Sequence, residues 1–319
     1  MKVSELDALI NANGGEGEFE SGSVERWPFP RYEGADEKDK KGNYKDPGAI
    51  YLSRPGIAHD TDVETLAAWL EAPRDVVGAI LLEGEPGTGK TALTEAAVTL
   101  VGRPMTTVVC TPDHTKDSLM RKFVGEGKGD KFEVGGKEKR SPYTLGPLPY
   151  AAKHGHVLYL DEFRLLLDGV KPITYSLTDG RKFLPEGNVD GSALEIHPDF
   201  RVIYSSNPGV RGASLPEPIA SRCAGTTLRV ETSAALLRDL GIEDLLVEAW
   251  KNLKTEKLWA PQVREMRAAH YWLSVSPHQA LAAMVPEHCP ESQREAVAKV
   301  VAPYIINGTY SPDARLRIA

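Results

Sequence analysis

The run Gly84-Glu85-Pro86-Gly87-Thr88-Gly89-Lys90-Thr91 follows the apolar stretch Ala79-Ile80-Leu81-Leu82 and leads directly into the helix-like Ala92-Leu93-Thr94-Glu95-Ala96-Ala97. The spacing G-x-x-x-x-G-K-[ST] lets the backbone curl tightly and turns successive N–H groups toward a phosphate at the positive end of the following helix. Lys90 then reaches the β- and γ-phosphates of a nucleotide, and Thr91 sets its hydroxyl on Mg²⁺. A plain Gly/Pro turn would join a strand to a helix equally well. The full pattern between a strand and a helix favours the phosphate cradle, so Gly84 through Ala92 are the candidate nucleotide-binding residues.

A cradle of this kind needs a parallel sheet beneath it, and the chain supplies one. Apolar segments Ala79–Leu82, Thr106–Cys110, Val157–Leu160, Arg201–Ser205 and Thr226–Val230 alternate with helical patterns after Lys90, near Lys116–Phe123, at Leu148–Lys153 and at Lys171–Leu177. Strands alternating with helices predict an α/β fold with a parallel sheet flanked by helices. A further helix, opened by Thr61-Asp62, precedes the first strand. After Glu231 the strand signals stop, and helical periodicity runs through Ser233–Leu240, Ile242–Leu253, Val263–Leu273, His278–Met284 and Ser292–Ile305. The expected organisation is a nucleotide-binding α/β domain over 49–230 and a smaller all-α domain over 231–319. Residues 1–48 read as a polar, flexible arm, in which Trp27, Pro28, Phe29, Pro30 and Tyr32 either dock on a partner or pack on the chain's own body.

Hydrolysis requires an acid to hold the metal and a group to orient water. His156-Val157-Leu158-Tyr159-Leu160-Asp161-Glu162 ends an apolar strand in two carboxylates. Alone, such a pair serves equally as the cap and first-turn charge of a helix. Its place about 70 residues beyond the cradle, after an intervening strand, favours Asp161 as a Mg²⁺ holder acting through water and Glu162 as the group that polarises the attacking water. The next strand runs into Ser206-Asn207-Pro208-Gly209, where the turn exposes the Asn207 amide. That amide reads either as an ordinary turn residue or as a hydrogen-bond donor to the γ-phosphate or the water.

The order GEPGTGKT, GPLPYAAKHGHVLYLDEF, LTDGRKF, IHPDFRVIYSSNPG and LPEPIASR resembles the MoxR branch of the AAA+ ATPases over about residues 78 to 270. It is most similar to the subgroup of nitric-oxide-reductase and Rubisco activation ATPases and the gas-vesicle ATPase. The resemblance implies an AAA+ core with a helical lid, in which Gly84–Thr91 is the Walker A loop, Asp161 and Glu162 the Walker B pair and Asn207 the first sensor. It makes Arg222 an arginine finger offered to a neighbouring subunit, and hence implies a ring, a hexamer in this family. Arg222 as a surface charge at a helix end is the alternative. The resemblance also makes Arg264 the second sensor, with Arg267 one turn later as a rival. The chain departs from the family's pattern in Phe163-Arg164 after the acid pair and in Cys223 after the finger.

Two inserts, Gly125–Tyr143 and the segment joining Lys182–Leu184 to Ala193–Ile196, read as β-hairpins and candidate effector surfaces, or else as solvated loops. The chain has 319 residues, 41% of them hydrophobic, and a net charge of −7, a balance against a global nucleic-acid surface. Seven basic against four acidic residues in Arg121–Arg140 leave only a mildly basic local patch. With ATP and Mg²⁺ as cofactors, the implied activity is an ATPase that remodels a protein client in a chaperone-like way, together with a von Willebrand factor A domain partner. A nucleic-acid motor, a metal-chelatase subunit and a nucleotide-binding scaffold are the competing readings, the last disfavoured by Glu162. No apolar run is long enough for a bilayer and the N-terminus lacks a secretory core, so a cytoplasmic location is expected. Cys110, Cys223 and Cys289 are too scattered for a disulfide framework or a zinc site and are expected to be reduced space-fillers.

Overall fold

The structure is a computed structural model that describes residues 26–29, 49–57, 61–207 and 216–306. Its centre is a five-stranded sheet of β1 (Ile80–Glu83), β2 (Met105–Val109), β3 (Val157–Asp161), β4 (Arg201–Ser206) and β5 (Thr227–Arg229). The spatial order is β5-β1-β4-β3-β2, with every pairing parallel.

Parallel strands covered by helices bury both faces, so they read as continuous apolar runs. Here the two-residue pleat sorts side chains into two cores. Ile80, Leu82, Val157, Tyr159 and Ile203 face one core, which is completed by Val63, Leu66 and Leu70 of α1 (Asp62–Glu71) and by Leu93 and Ala97 of α2 (Lys90–Leu100). Leu81, Leu158, Leu160, Val202 and Tyr204 face the other, against Leu148, Ala151 and Ala152 of α3 (Pro147–His154), Phe163 and Ile219. Thr61 starts α1 with a capping box, its side chain accepting from the Glu64 N–H while the Glu64 carboxylate accepts from the Thr61 N–H.

Beyond β5 the described chain is helical: Ala234–Asp239, Asp244–Thr255, α4 (Val263–Leu273), Pro277–Met284 and Glu291–Ile306 surround their own core of Leu246, Leu253, Met266, Ala280 and Val301. The expected helix near Lys116–Phe123 is corrected. It stops at Met120, and Arg121–Phe123 is a strand paired antiparallel with Tyr143–Leu145. A distant partner strand there outweighs local helical periodicity. Lys171–Leu177 is a 3₁₀ helix.

Both inserts contain hairpins, Lys131–Val134 with Lys137–Arg140 and Phe183–Leu184 with Leu194–Glu195. The tight turn between the first pair uses Gly135 and Gly136 at positive φ, the conformation that favours glycine in a two-residue hairpin. Of the region expected to be a polar arm, the described part is Arg26–Phe29, whose backbone pairs antiparallel with Ala49–Leu52; the rest lies outside the described residues. Among the described residues no helix is long and apolar enough to cross a membrane. All three cysteines are buried and free, and burial pushes the Cys110 and Cys223 thiols up to about 12.

Candidate nucleotide site

The loop between β1 and α2 is held in shape by its glycines. Gly87 and Gly89 sit at φ 85° and 96°, where a side chain would be strained. A Cβ on Gly84 would lie 2.3 Å from the Val230 carbonyl oxygen, so only glycine lets the loop pass this close to the end of β5. Gly89 caps α2 without a side-chain bond to its first N–H groups, leaving them as donors at the positive end of an eleven-residue helix.

Lys90 folds back under this loop. Its Nζ donates to the carbonyls of Gly84 at 2.8 Å and Glu85 at 3.1 Å and to Asn207 Oδ1 at 2.7 Å. Burial lowers its pKa, while the Asp161 and Glu162 carboxylates act in the opposite direction. Asn207, only 5% exposed at the end of β4, uses its other amide atom as well: Nδ2 donates to Glu162 Oε1 at 2.7 Å. One amide therefore spans the cation of the loop and the carboxylate beyond β3.

Glu162 itself has φ 54° and ψ 38°, a left-handed conformation rare for a residue with a long side chain. Strain of this kind persists only where the surroundings over-determine it, and it clusters at sites of function. Two features fix it here. Its N–H donates to Asp161 Oδ1 at 3.1 Å, and the 3₁₀ turn Phe163–Leu165 begins immediately, with Phe163 fully buried edge-on to Tyr204.

Thr91 and Asp161 meet through Tyr159, whose hydroxyl lies 3.3 Å from Thr91 Oγ1 and donates to Asp161 Oδ1 at 3.2 Å. These oxygen donors fit a hard cation. Mg²⁺ characteristically takes one or two protein carboxylates and completes its shell with water and substrate phosphate. Among the described residues no group of three or more His, Cys, Asp or Glu is placed to hold a metal ion.

A cavity of about 620 Å³ opens over the loop. Pro86 to Ala92, Asp161 and Glu162 form its polar floor, and Tyr51, Leu52, Leu236, Leu240 and Val263 form an apolar wall. Arg264 and Arg267 of α4 both line it, and a Cβ on Gly87 would lie 3.0 Å from that of Arg264. Gly84 and Glu85 lie behind the cavity rim: Gly84 accepts from Lys90, and Glu85 accepts through Oε2 from Gln262 Nε2 at 2.6 Å.

Arg222 stands apart from this group. Its guanidinium lies 5.6 Å over the Tyr175 ring, and Nη1 donates to the Pro218 carbonyl at 2.8 Å. The turn expected at Pro208-Gly209 lies outside the described residues.

Four residues of the site were not singled out in the sequence. Tyr159 had a usable signal, since it lies two positions before Asp161 and so on the same strand face. Tyr51 had none, and Arg54 and Gln262 had none because each reaches a partner 177 residues away.

Residues 79–223 match the family model described as "AAA domain (dynein-related subfamily)". The chain is 32% identical over 134 residues to Protein CbbQ of Hydrogenophilus thermoluteolus, covering 42% of this chain and 46% of that protein. It is 32% identical over 130 residues to Protein NorQ of Paracoccus denitrificans, covering 41% and 44%. An uncharacterized protein of Staphylococcus saprophyticus matches at 31% over 134 residues, covering 42% and 48%. The chain thus spans a little under half the length of the curated relatives it matches. Residues 79–223 resemble an AAA domain of the dynein-related subfamily, and the chain is similar to Protein CbbQ and Protein NorQ.

Proposed function

We propose that this chain is a Mg²⁺-dependent ATPase of the MoxR type that works as a ring, a hexamer, and remodels a protein client in the cytoplasm with a von Willebrand factor A domain partner. The observation that carries the ATPase reading is Asn207, buried and bonded at once to Lys90 and to Glu162, both of which line the cavity over the phosphate loop.

In this reading the loop amides and the start of α2 receive the phosphates, and Lys90 exchanges its carbonyl partners for the β- and γ-phosphate oxygens. Thr91 and Asp161 would hold Mg²⁺, which would supply neutralising charge for the phosphates. Glu162 orients and polarises the attacking water, and Asn207 sets the direction of the Glu162 carboxylate. The base lies against Tyr51, Leu52, Leu236, Leu240 and Val263, and Arg264 or Arg267 contacts the phosphates from α4. Arg222, which does not line its own chain's cavity, would leave the Tyr175 ring and the Pro218 carbonyl to serve a neighbour's, the role of a finger that accelerates phosphoryl transfer by roughly 10³–10⁵.

The test is ATP turnover by Lys90→Ala and Arg222→Ala proteins, alone and mixed, with protein or duplex DNA added to the parent. Each variant alone should be inactive and mixed assemblies should regain activity. Mixed assemblies shown to form without recovery remove the trans role of Arg222. Stimulation by DNA that declines with salt, without stimulation by any protein, favours the nucleic-acid motor.

A further inference from the structure

We infer that Arg54 is a positioning residue that ties the connector after β5 to the phosphate loop, so that movement of the C-terminal helices is transmitted to the amide that follows Thr88. The inference rests on the nucleotide reading above.

Arg54 joins two segments that are far apart in the chain, the phosphate loop and the connector after β5. Its Nε donates to the Glu231 carbonyl at 2.8 Å, its Nη2 donates to the Thr88 carbonyl, and its Nη1 donates to the Tyr51 hydroxyl. The side chain is 11% exposed. The base of the residue is clamped too: its N–H donates to Asp62 Oδ1 at 2.9 Å, its carbonyl accepts from the Asp62 N–H at 2.8 Å, and the Tyr51 hydroxyl donates to Asp62 Oδ2 at 2.5 Å. Asp62 is buried at the first position of α1, so the guanidinium is mounted on a rigid element.

The geometry has a specific consequence for the loop. A trans peptide directs its C=O and N–H to opposite sides. Holding the Thr88 carbonyl toward Arg54 turns the Gly89 N–H away from it, which fixes the direction of a donor in the phosphate cradle. The other end of the same fork holds the Glu231 carbonyl, in the short connector from β5 to the helix Ala234–Asp239. A second bridge runs parallel to it, for Gln262 joins Glu85 Oε2 at 2.6 Å to the Thr232 hydroxyl at 2.6 Å. Adjacent connector residues are therefore bridged to two residues of the same loop. Only a planar fork with donors in fixed directions reaches three separated acceptors at once, so lysine, a single point of charge, is no substitute.

Amide hydrogen exchange of the full chain, with and without ATP and Mg²⁺, tests this on the parent, Arg54→Gln and Arg54→Lys. In the parent, nucleotide should slow exchange over both 84–91 and 230–236. In both variants the slowing over 230–236 should shrink about tenfold, the effect of losing charge-assisted bonds across the connector, and that over 84–91 should shrink by less, because Lys90 and the other loop amides still take the phosphates. Should Arg54→Gln lose its cooperative melt, Arg54→Lys decides. Variants that keep the parent's slowing at 230–236 overturn the inference, as does a parent slowed at 84–91 alone. A parent slowed nowhere sinks the nucleotide reading and this inference with it.

Discussion

Replacing Asn207 with alanine removes two bonds to charged groups, each 2.7 Å long: one accepted from Lys90 and one donated to Glu162. Bonds to charged partners contribute about 1.5–3 kcal/mol each. Lys90 keeps the Gly84 and Glu85 carbonyls, and the half-buried Glu162 carboxylate can recruit water, so the stability cost should be only about 2 kcal/mol. The rate should suffer more. Freed from the amide, the Glu162 carboxylate is no longer held toward the phosphate end of the cavity, and loss of one preorganised group costs about 10²–10³ in kcat. Lys90 and the loop amides remain, so nucleotide affinity should change by less than about tenfold, or ~1.4 kcal/mol. The assay is steady-state phosphate release beside equilibrium binding of a fluorescent ATP analogue. Asn207→Asp sharpens it: the acceptor for Lys90 survives, while the donor to Glu162 becomes a second carboxylate oxygen. That variant should bind nucleotide and turn over no faster than Asn207→Ala. A folded Asn207→Ala protein with kcat within about threefold of the parent, under 1 kcal/mol of barrier, would refute the bridging argument.

Two further outcomes follow from the packing. Gly84→Ala should lower stability by about 1–3 kcal/mol in urea titration, because its Cβ would lie 2.3 Å from backbone that pairs with β1, whereas Gly102→Ala, with nothing within 4 Å and only a positive φ to pay, should cost about 1 kcal/mol. His270 is buried with Nδ1 accepting from the Glu243 N–H at 3.1 Å; burial lowers its pKa, with the Glu243 carboxylate opposing. A depressed imidazole favours the neutral fold, so its contribution is present above the ordinary value of 6.5 and lost as pH falls through the lower folded value. The urea midpoint should therefore decline on acidification, and the part of that decline due to this group should vanish in His270→Gln; an unchanged slope would show that His270 carries none of it.

The sheet was legible because β1, β3 and β4 are apolar on both faces, which no amphipathic helix requires. The turn between β1 and α2 was legible because its glycine pattern is local, eight residues long. Arg121–Phe123 was misread as helix since its strand character comes from pairing with Tyr143–Leu145 across a hairpin. The left-handed backbone of Glu162 could not be anticipated either: glutamate has no preference for it, and the pull of Asn207 comes from another strand. Arg54 and Gln262 were invisible for a related reason, as each reaches a partner 177 residues away. Arg222 and Arg264 stood out only through the resemblance, and of the two only Arg264 lines the cavity of its own chain.

The central claim is that Glu162 drives hydrolysis at a site built to bind ATP without it. Single-turnover hydrolysis of bound ATP in the Glu162→Gln protein tests it most directly, because the amide preserves size and leaves Lys90, Thr91 and Asp161 untouched. The account predicts parent-like nucleotide affinity with hydrolysis slowed by at least about 10², the scale of a lost general base. Hydrolysis at the parent's rate by a folded, nucleotide-loaded Glu162→Gln protein would contradict it.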